Sequence, residues 1–202
     1  MKTLALSVLT ALALVSFFPA GTAWGQVKPP PADTFKVGFY VNANTSGVED
    51  GTVFIANPGT SGGDLCADIY VFDANGEMVT CCGCPVPMNG LLTLSINSNL
   101  TSNPLTGVVP TQGVIKVISS SEGASSPKCD PRFANPTPTL RGDSEIPEKH
   151  PSGPSSGSEG HKSYEMHDAP LSSKEHGSLK NQCGVITKEG SGKGVCSCGG
   201  AA

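Results

Sequence analysis

The sequence predicts a mainly β fold, a small antiparallel β-sandwich stapled by disulfide bonds. Six short segments are typical of strands, with turn-forming residues between them, and apolar residues alternate most clearly in the first and the third; the chain contains eight cysteines. Alternation with a period of two is typical of strands that bury one face, and no helical period is present in this region. Six strands in about 88 residues favour a β-sandwich.

Two strands carry most of this prediction. In the first, Phe35, Val37, Phe39 and Val41 alternate with less apolar neighbours, so we expect these four side chains to form its buried face. The most regular strand is 65–72, and residues 73–76 after it (DANG) predict a tight turn that makes 65–84 a β-hairpin. The other predicted strands are 52–56, 77–82, 91–97 and 113–119.

The hairpin suggests one disulfide. If Asp73 and Glu77 close a three-residue turn, Cys66 faces Cys84 across the two strands and is close enough to bond with it. Cys81 and Cys82 point to opposite faces of their strand and need different partners. One of them is expected to face the core and the other to reach the C-terminal tail.

The N-terminus predicts export. Lys2 precedes an apolar stretch that ends at Phe18, and small residues follow, which is typical of a signal peptide over residues 1–25. The apolar stretch is shorter than the roughly 20 residues of a membrane span. We therefore expect a secreted protein, extracellular or periplasmic, with no membrane span after cleavage.

Composition divides the rest of the chain. A mobile leader is expected over 26–32 and the β-sandwich domain over 33–120. A disordered linker rich in Ser, Pro and Gly is expected over 121–170, because such a segment buries too little apolar surface to offset its ordering entropy. The tail, 171–202, is expected to form a short helix over about 173–182 and a cysteine-containing hairpin over 185–198.

Eight cysteines in an exported chain are most simply four disulfides, and 105 pairings are possible. The tail holds three of them, so at least one must bond to a residue before or within the linker if all are oxidised. Dense thiol clusters leave an alternative open, a thiolate metal-binding or redox protein for Cu(I) or Zn(II), although zinc ligands are usually spaced differently. The disulfide candidates are Cys66, Cys81, Cys82, Cys84, Cys129, Cys183, Cys196 and Cys198.

No catalytic or cofactor-binding residue is predicted, and we expect the protein not to be an enzyme. Residues 153–157 (GPSSG) match the Gly-x-Ser-x-Gly pattern but lack the strand and helix that a nucleophile elbow needs. The histidines lie outside the predicted β-domain, which is left without a general base of that type. Glu49, Asp64 and Asp68 suggest calcium, yet a solvated acidic face explains them better.

The charge distribution excludes one class of partner. Between Asp33 and Ser120 seven carboxylates stand against two lysines, and the whole chain has a net charge of −4. Such a surface repels a phosphate backbone, so nucleic acid is excluded. A protein or cell-envelope partner is expected instead.

Three segments, 57–60 (NPGT), 67–77 (ADIYVFDANGE) and 89–96 (NGLLTLSI), resemble bacterial extracellular immunoglobulin-like domains. Four others, 62–67 (GGDLCA), 81–84 (CCGC), 100–107 (LTSNPLTG) and 190–198 (GSGKGVCSC), resemble an uncharacterised group of secreted bacterial proteins. The resemblance implies a cysteine-stapled immunoglobulin-like β-sandwich and no activity, since fold alone does not carry function. We therefore expect a secreted non-enzymatic structural or protein-binding module.

Overall fold

The computed structural model describes residues 32–122, 128–138, 140–147 and 161–190. The predicted signal peptide, the leader apart from Ala32, and the tail cysteines Cys196 and Cys198 lie outside these ranges. Within the described residues the chain forms a mainly β fold of two antiparallel sheets, as predicted.

Nine strands make up these two sheets. One sheet has the order β4-β3-β6-β1-β9 and the other the order β5-β2-β7-β8. All six strands expected from the sequence are present. The strands are β1 (Phe35–Tyr40), β2 (Thr52–Ala56), β3 (Leu65–Asp73), β4 (Met78–Val86), β5 (Leu91–Ser95), β6 (Gly113–Ser121), β7 (Arg141–Pro147), β8 (His161–Glu165) and β9 (His167–Asp168).

The two sheets face each other across an inner core. Burying each large aliphatic side chain in it contributes about 1.5–3 kcal/mol, which is the main force holding the sheets together. As the alternation in β3 predicts, its odd-numbered residues from Leu65 to Val71 point inward. The inner core consists of Tyr40, Ala43, Val53, Ile55, Leu65, Ala67, Ile69, Val71, Val79, Cys82, Val86, Leu94, Ile96, Leu100, Ile115, Val117, Leu140 and Met166.

The predicted buried face of β1 is confirmed at Phe35, which is 4% exposed, but it is wrong at Phe39. Phe39 is 43% exposed, whereas its neighbour Tyr40 is fully buried in the inner core. Gly38 leaves room for Met166, since a Cβ there would lie 3.1 Å from the Cγ of Met166. Both faces of this sheet are covered, so alternation indicates a strand without telling which face meets the core.

The predicted register of the hairpin is also wrong. Phe72 faces Met78, as a three-residue turn requires, but a β-bulge follows between Val71 and Phe72 and shifts the remaining pairs by one residue. Ala67 therefore faces Cys84, and Cys66 faces Pro85. A bulge inserts one extra residue into one strand, here β4, and turns the later side chains out of the expected alignment.

Part of the predicted linker is ordered. β7 pairs with β2 and β8 pairs with β7, while β9 pairs with β1, so the prediction of disorder is wrong for these strands. Few apolar side chains are needed here, because strands added at a sheet edge are held by backbone hydrogen bonds and by single anchors such as Leu140 and Met166. Residues 148–160 lie outside the described residues.

The helix α1 (Ser173–Glu189) covers the outer face of the five-stranded sheet. Ser172 caps it by accepting a hydrogen bond from the backbone N–H of Glu175 (3.0 Å), and it ends at Gly190 with a φ of 105°. The predicted helix is confirmed and runs further than expected. The predicted first strand of the terminal hairpin, over 185–188, is wrong because these residues belong to α1. Leu179, Cys183 and Ile186 recur at helical spacing and are buried against the sheet.

A second apolar group, the outer cluster, fills the space between α1 and the sheet. It explains why β3 is buried on both faces. At the edge of the outer cluster, the Nζ of Lys116 forms an ion pair with Oε1 of Glu175 on α1 (2.5 Å). The outer cluster consists of Phe35, Tyr70, Phe72, Met78, Cys81, Ile118, Leu171, Leu179, Cys183 and Ile186.

Candidate functional site

Two disulfides join distant parts of the chain. Cys66 bonds to Cys129 with a Cα–Cα distance of 5.2 Å, so the predicted Cys66–Cys84 bond is wrong. Cys81 bonds to Cys183 across 5.7 Å and ties α1 to the edge strand β4. This bond confirms that a tail cysteine reaches back past the linker.

Cys81 and Cys82 point to opposite faces of β4, as predicted. Cys81 belongs to the outer cluster and Cys82 to the inner core. Cys82 is also disulfide-bonded. Both sulfurs are therefore oxidised, so this vicinal pair offers no thiolate to a metal ion in this state.

The segment 128–133 docks on the outer face of β3. The Tyr70 hydroxyl donates to the carbonyl oxygen of Pro131 (2.7 Å), close to the Cys66–Cys129 bridge. Gly83 permits the close approach, since a Cβ there would lie 1.7 Å from the carbonyl oxygen of Cys129. Part of the predicted linker is thereby fixed to the sandwich.

Asp68 lies completely buried in this region. Its Oδ2 accepts a hydrogen bond from the Ser120 hydroxyl (2.5 Å), and its Oδ1 has no hydrogen-bond partner among the residues that the structure describes. Burial raises the pKa of Asp68 to about 7, the negative charge of Asp130 adds to the rise, and Ser120 and Lys180 oppose it. A carboxyl group with no solvent-exposed surface cannot reach a substrate, so we assign it to the fold rather than to catalysis.

Two other polar residues noted in the sequence contact the backbone of distant segments. Asp64 accepts a hydrogen bond from the backbone N–H of Met88 (2.9 Å), and the ring nitrogen Nε2 of His176 lies 3.1 Å from the carbonyl oxygen of Ala134. Burial, and then the charge of Lys180, lower the pKa of His176. In the described ranges no three His, Cys, Asp or Glu side chains form a group able to hold a metal ion. The Gly-x-Ser-x-Gly segment lies outside the described residues.

An open cleft of about 450 Å³ lies between the β3–β4 turn and the loop that precedes β6. One wall is the turn that begins at Asp73, and the other is the loop 104–112, which we call the apolar loop. Three side chains of the apolar loop are exposed: Leu105 (42%), Val108 (73%) and Val109 (42%). The cleft is lined by Asp73, Ala74, Asn75, Glu77, Met78, Val79, Pro104, Leu105, Thr106, Val108, Val109, Pro110, Thr111 and Gln112.

The apolar loop is held at its C-terminal end, and the chain three residues before it is held at Thr101. Asn44, which has a positive φ of 52°, donates from its Nδ2 to the Thr101 hydroxyl and to the carbonyl oxygen of Pro110, each at 2.9 Å. Ala43 donates its backbone N–H to the carbonyl oxygen of Thr111 (2.9 Å). These contacts order the backbone before any partner arrives, so binding loses less conformational entropy.

The opposite wall of the cleft is acidic. Asp73 Oδ1 accepts from the backbone N–H groups of Asn75 and Glu77, each at 2.9 Å. Desolvation alone would raise the pKa of Asp73, but hydrogen bonds from Glu77, Asn75 and Gly76 together lower it. Asp73 is therefore charged at neutral pH and stands beside the exposed side chain of Glu77.

Sequence reasoning missed this cleft. Leu105, Val108 and Val109 stand between Pro104 and Pro110 in the segment before β6. Apolar side chains on a proline-bounded loop were the available signal. Their proximity to the β3–β4 turn, about 30 residues earlier, is a product of the tertiary fold.

Comparisons with known protein families, curated proteins and solved structures find no match to this chain. In the described part of the chain, no helix has both the length and the apolar character needed to cross a membrane.

Proposed function

We propose that this chain is a secreted, non-enzymatic module that binds another protein through the cleft between the apolar loop and the β3–β4 turn. The main support is that the apolar loop exposes three apolar side chains on a backbone that Asn44 holds in place. Clustered exposed apolar surface is typical of interaction sites, and its burial by a partner is favourable.

The occupant we propose is an extended segment of a partner protein that carries apolar side chains and at least one Lys or Arg. The apolar side chains would contact Leu105, Val108 and Val109, while the cation would lie near Asp73 and Glu77 on the opposite wall. Charge complementarity supports this choice, because the carboxylate of Asp73 is charged and the β-domain carries an excess of acidic residues.

Secretion is part of the same proposal. Disulfides form and persist in oxidising compartments, so the Cys66–Cys129 and Cys81–Cys183 bonds are compatible with an extracellular or periplasmic location. The immunoglobulin-like family remains a proposal based on the resemblance. Oxidation of Cys81 and Cys82 favours a structural role for these cysteines over a thiolate metal site.

The test is selection of random twelve-residue peptides displayed on phage against the immobilised disulfide-bonded protein. We expect enriched peptides that combine apolar residues with Lys or Arg. Val108→Asp should weaken their binding at least tenfold, because removing one apolar anchor costs about 1.5–3 kcal/mol. Val185→Asp is the matched control, since Val185 is also exposed (59%) but lies on α1.

A charge variant separates the two walls. Glu77→Lys should weaken the basic peptides while leaving purely apolar ones unchanged, and salt should reduce the difference. Absence of any enriched peptide, or equal binding to the Val108→Asp protein, would contradict the proposal. Sedimentation with isolated cell-wall material in place of peptide binding would point to a polysaccharide partner instead.

A further inference from the structure

Strand β5 is an edge strand without the usual protection against pairing. It is the last strand of the four-stranded sheet, and β2 is its only neighbour among the described strands. Edge strands commonly carry a charged residue or a proline, which discourages pairing with another molecule. The other described edges have one: Asp168 in β9, Lys162 in β8 and Pro85 in β4. The five residues of β5, LLTLS, include neither.

The register of β5 on β2 shows which of its backbone groups face outward. The N–H of Asn57 donates to the carbonyl oxygen of Gly90 (3.0 Å), at the end of a ladder that pairs Ala56 with Leu91. Bonded and non-bonded pairs alternate along an antiparallel ladder, so the even-numbered residues of β5 bond to β2. The odd-numbered residues, among them Leu91 and Thr93, therefore point their N–H and C=O groups away from the sheet.

One end of this outward row is already closed. The N–H of Ser95 donates to Oδ1 of Asn99 (2.8 Å). In the part of the chain that the structure describes, the outward N–H and C=O groups of Leu91 and Thr93 have no hydrogen-bond partner. Both side chains are exposed, and Leu91 is 64% exposed. The open part of the edge therefore offers two donors and two acceptors beside an exposed apolar side chain.

We propose that two copies of this chain associate through β5, antiparallel about a twofold axis at Leu92, with Leu91 of each copy opposite Thr93 of the other. Each of these two residue pairs exchanges both of its backbone hydrogen bonds, so every open group of Leu91 and Thr93 gains a partner. On the other face of the strand Leu92, which packs against the inner core, meets its own copy across the axis. The open groups are thus complementary to themselves.

The distribution of charge favours a second copy as the occupant of this edge. Residues 78–115 contain no Asp, Glu, Lys, Arg or His, and β5 lies within this run. Two chains of net charge −4 therefore bring no like charges together along β5, and a basic partner would gain no ion pair there. The interface is short, so we expect a dissociation constant between about 1 μM and 1 mM. This inference does not depend on the proposed peptide-binding function.

Sedimentation equilibrium of the disulfide-bonded protein over a concentration series tests the association. We expect a monomer–dimer equilibrium, and Thr93→Pro should weaken it at least tenfold because the variant removes one outward N–H from each copy. The fold should tolerate this change, since edge strands accept proline where the N–H faces solvent. Thr93→Val is the matched control, because it keeps the N–H and should dimerise like wild type.

A pair of charged variants tests the register. Thr93→Lys and Leu91→Glu should each weaken self-association at least tenfold, because each brings an unpaired charge into the seam. When the two variants are mixed, they should associate at least tenfold more tightly than either does alone, since the new cation and the new carboxylate face each other. Thermal unfolding of each variant checks that it is folded.

Three results would overturn the proposal. The first is a protein that stays monomeric at every concentration up to about 1 mM. The second is a dimer that Thr93→Pro leaves as tight as wild type, and the third is a mixture of the charged variants that associates no better than either variant alone.

Discussion

The hydroxyl of Tyr70 donates a 2.7 Å hydrogen bond to the carbonyl oxygen of Pro131, 61 residues further along the chain. The side chain of Tyr70 is fully buried, and the Cys66–Cys129 bridge fixes the same segment two residues earlier. A hydrogen bond and a covalent bond therefore hold residues 128–133 against β3.

Removing this hydroxyl should destabilise the fold. In Tyr70→Phe the carbonyl oxygen of Pro131 stays buried without a donor, and we expect a loss of about 1–3 kcal/mol in the free energy of unfolding, measured by urea denaturation. Thr60→Ala removes an exposed hydroxyl and should change stability by less than about 0.5 kcal/mol. Equal stabilities of Tyr70→Phe and wild type would contradict the assignment.

Asp68 should make stability depend on pH. Its pKa is 3.8 when unfolded and about 7 when folded, so the folded state binds the extra proton between these values. The free energy of unfolding should therefore fall as pH rises from about 4 to about 7, by at most about 4 kcal/mol, and the Asp68 contribution should be flat above that. Burial alone would raise the pKa of Asp130, but Arg132 lowers it below its usual value. Asp130 therefore contributes stability that increases as pH rises, which is opposite to the effect of Asp68.

The variant Asp68→Asn isolates this contribution, because it keeps the shape of the side chain and cannot titrate. The difference in stability between wild type and variant should change across pH 4–7, and the variant should be the more stable protein at pH 8. Parallel pH profiles for the two proteins would show that Asp68 is not the titrating group.

Gly83 should tolerate no side chain. A Cβ at this position would lie 1.7 Å from the carbonyl oxygen of Cys129, so Gly83→Ala must displace the docked segment or bend β4. Overpacked sites typically lose about 1–3 kcal/mol, and we expect a loss at the upper end of this range, measured by thermal and urea unfolding. Gly63→Ala is the control, because nothing lies within 4 Å of its Cβ position. Similar losses for both variants would refute the close contact.

Cutting the chain between β7 and β8 should not release the tail. With a specific protease site inserted within 148–160, the cleaved protein should run as one species without reductant, because Cys81–Cys183 bridges the cut. Reduction under denaturing conditions should separate the two fragments. Fragments that separate without reductant would contradict the bond, and the uncut protein carrying the same insertion is the control.

Local patterns predicted the elements well. The alternation in β3, the turn after Asp73 and the helix at the start of the tail each depend on a few neighbouring residues, and the structure follows all three. By parity, at least one of the three tail cysteines had to bond outside the tail if all were oxidised, and Cys183 does so.

Non-local packing decided the rest. The bulge at Val71 moved Cys66 away from Cys84, and no feature of the hairpin sequence marks a single extra residue. Cys129 lies next to Cys66 because residues 128–133 dock on β3. The hydrogen bond that holds them joins Tyr70 and Pro131, which are 61 residues apart. β7 and β8 are strands because β2 offers an edge, and a composition-based prediction of disorder cannot detect that edge.

The most direct test of the proposed function is hydrogen exchange of the wild-type protein with and without a selected basic, apolar peptide at saturating concentration. We predict slower exchange confined to the apolar loop, 104–112, and the turn 73–79, and no such slowing in the Val108→Asp protein at the same peptide concentration. Protection elsewhere, for example on α1, or equal protection in the Val108→Asp protein would contradict a binding site in this cleft.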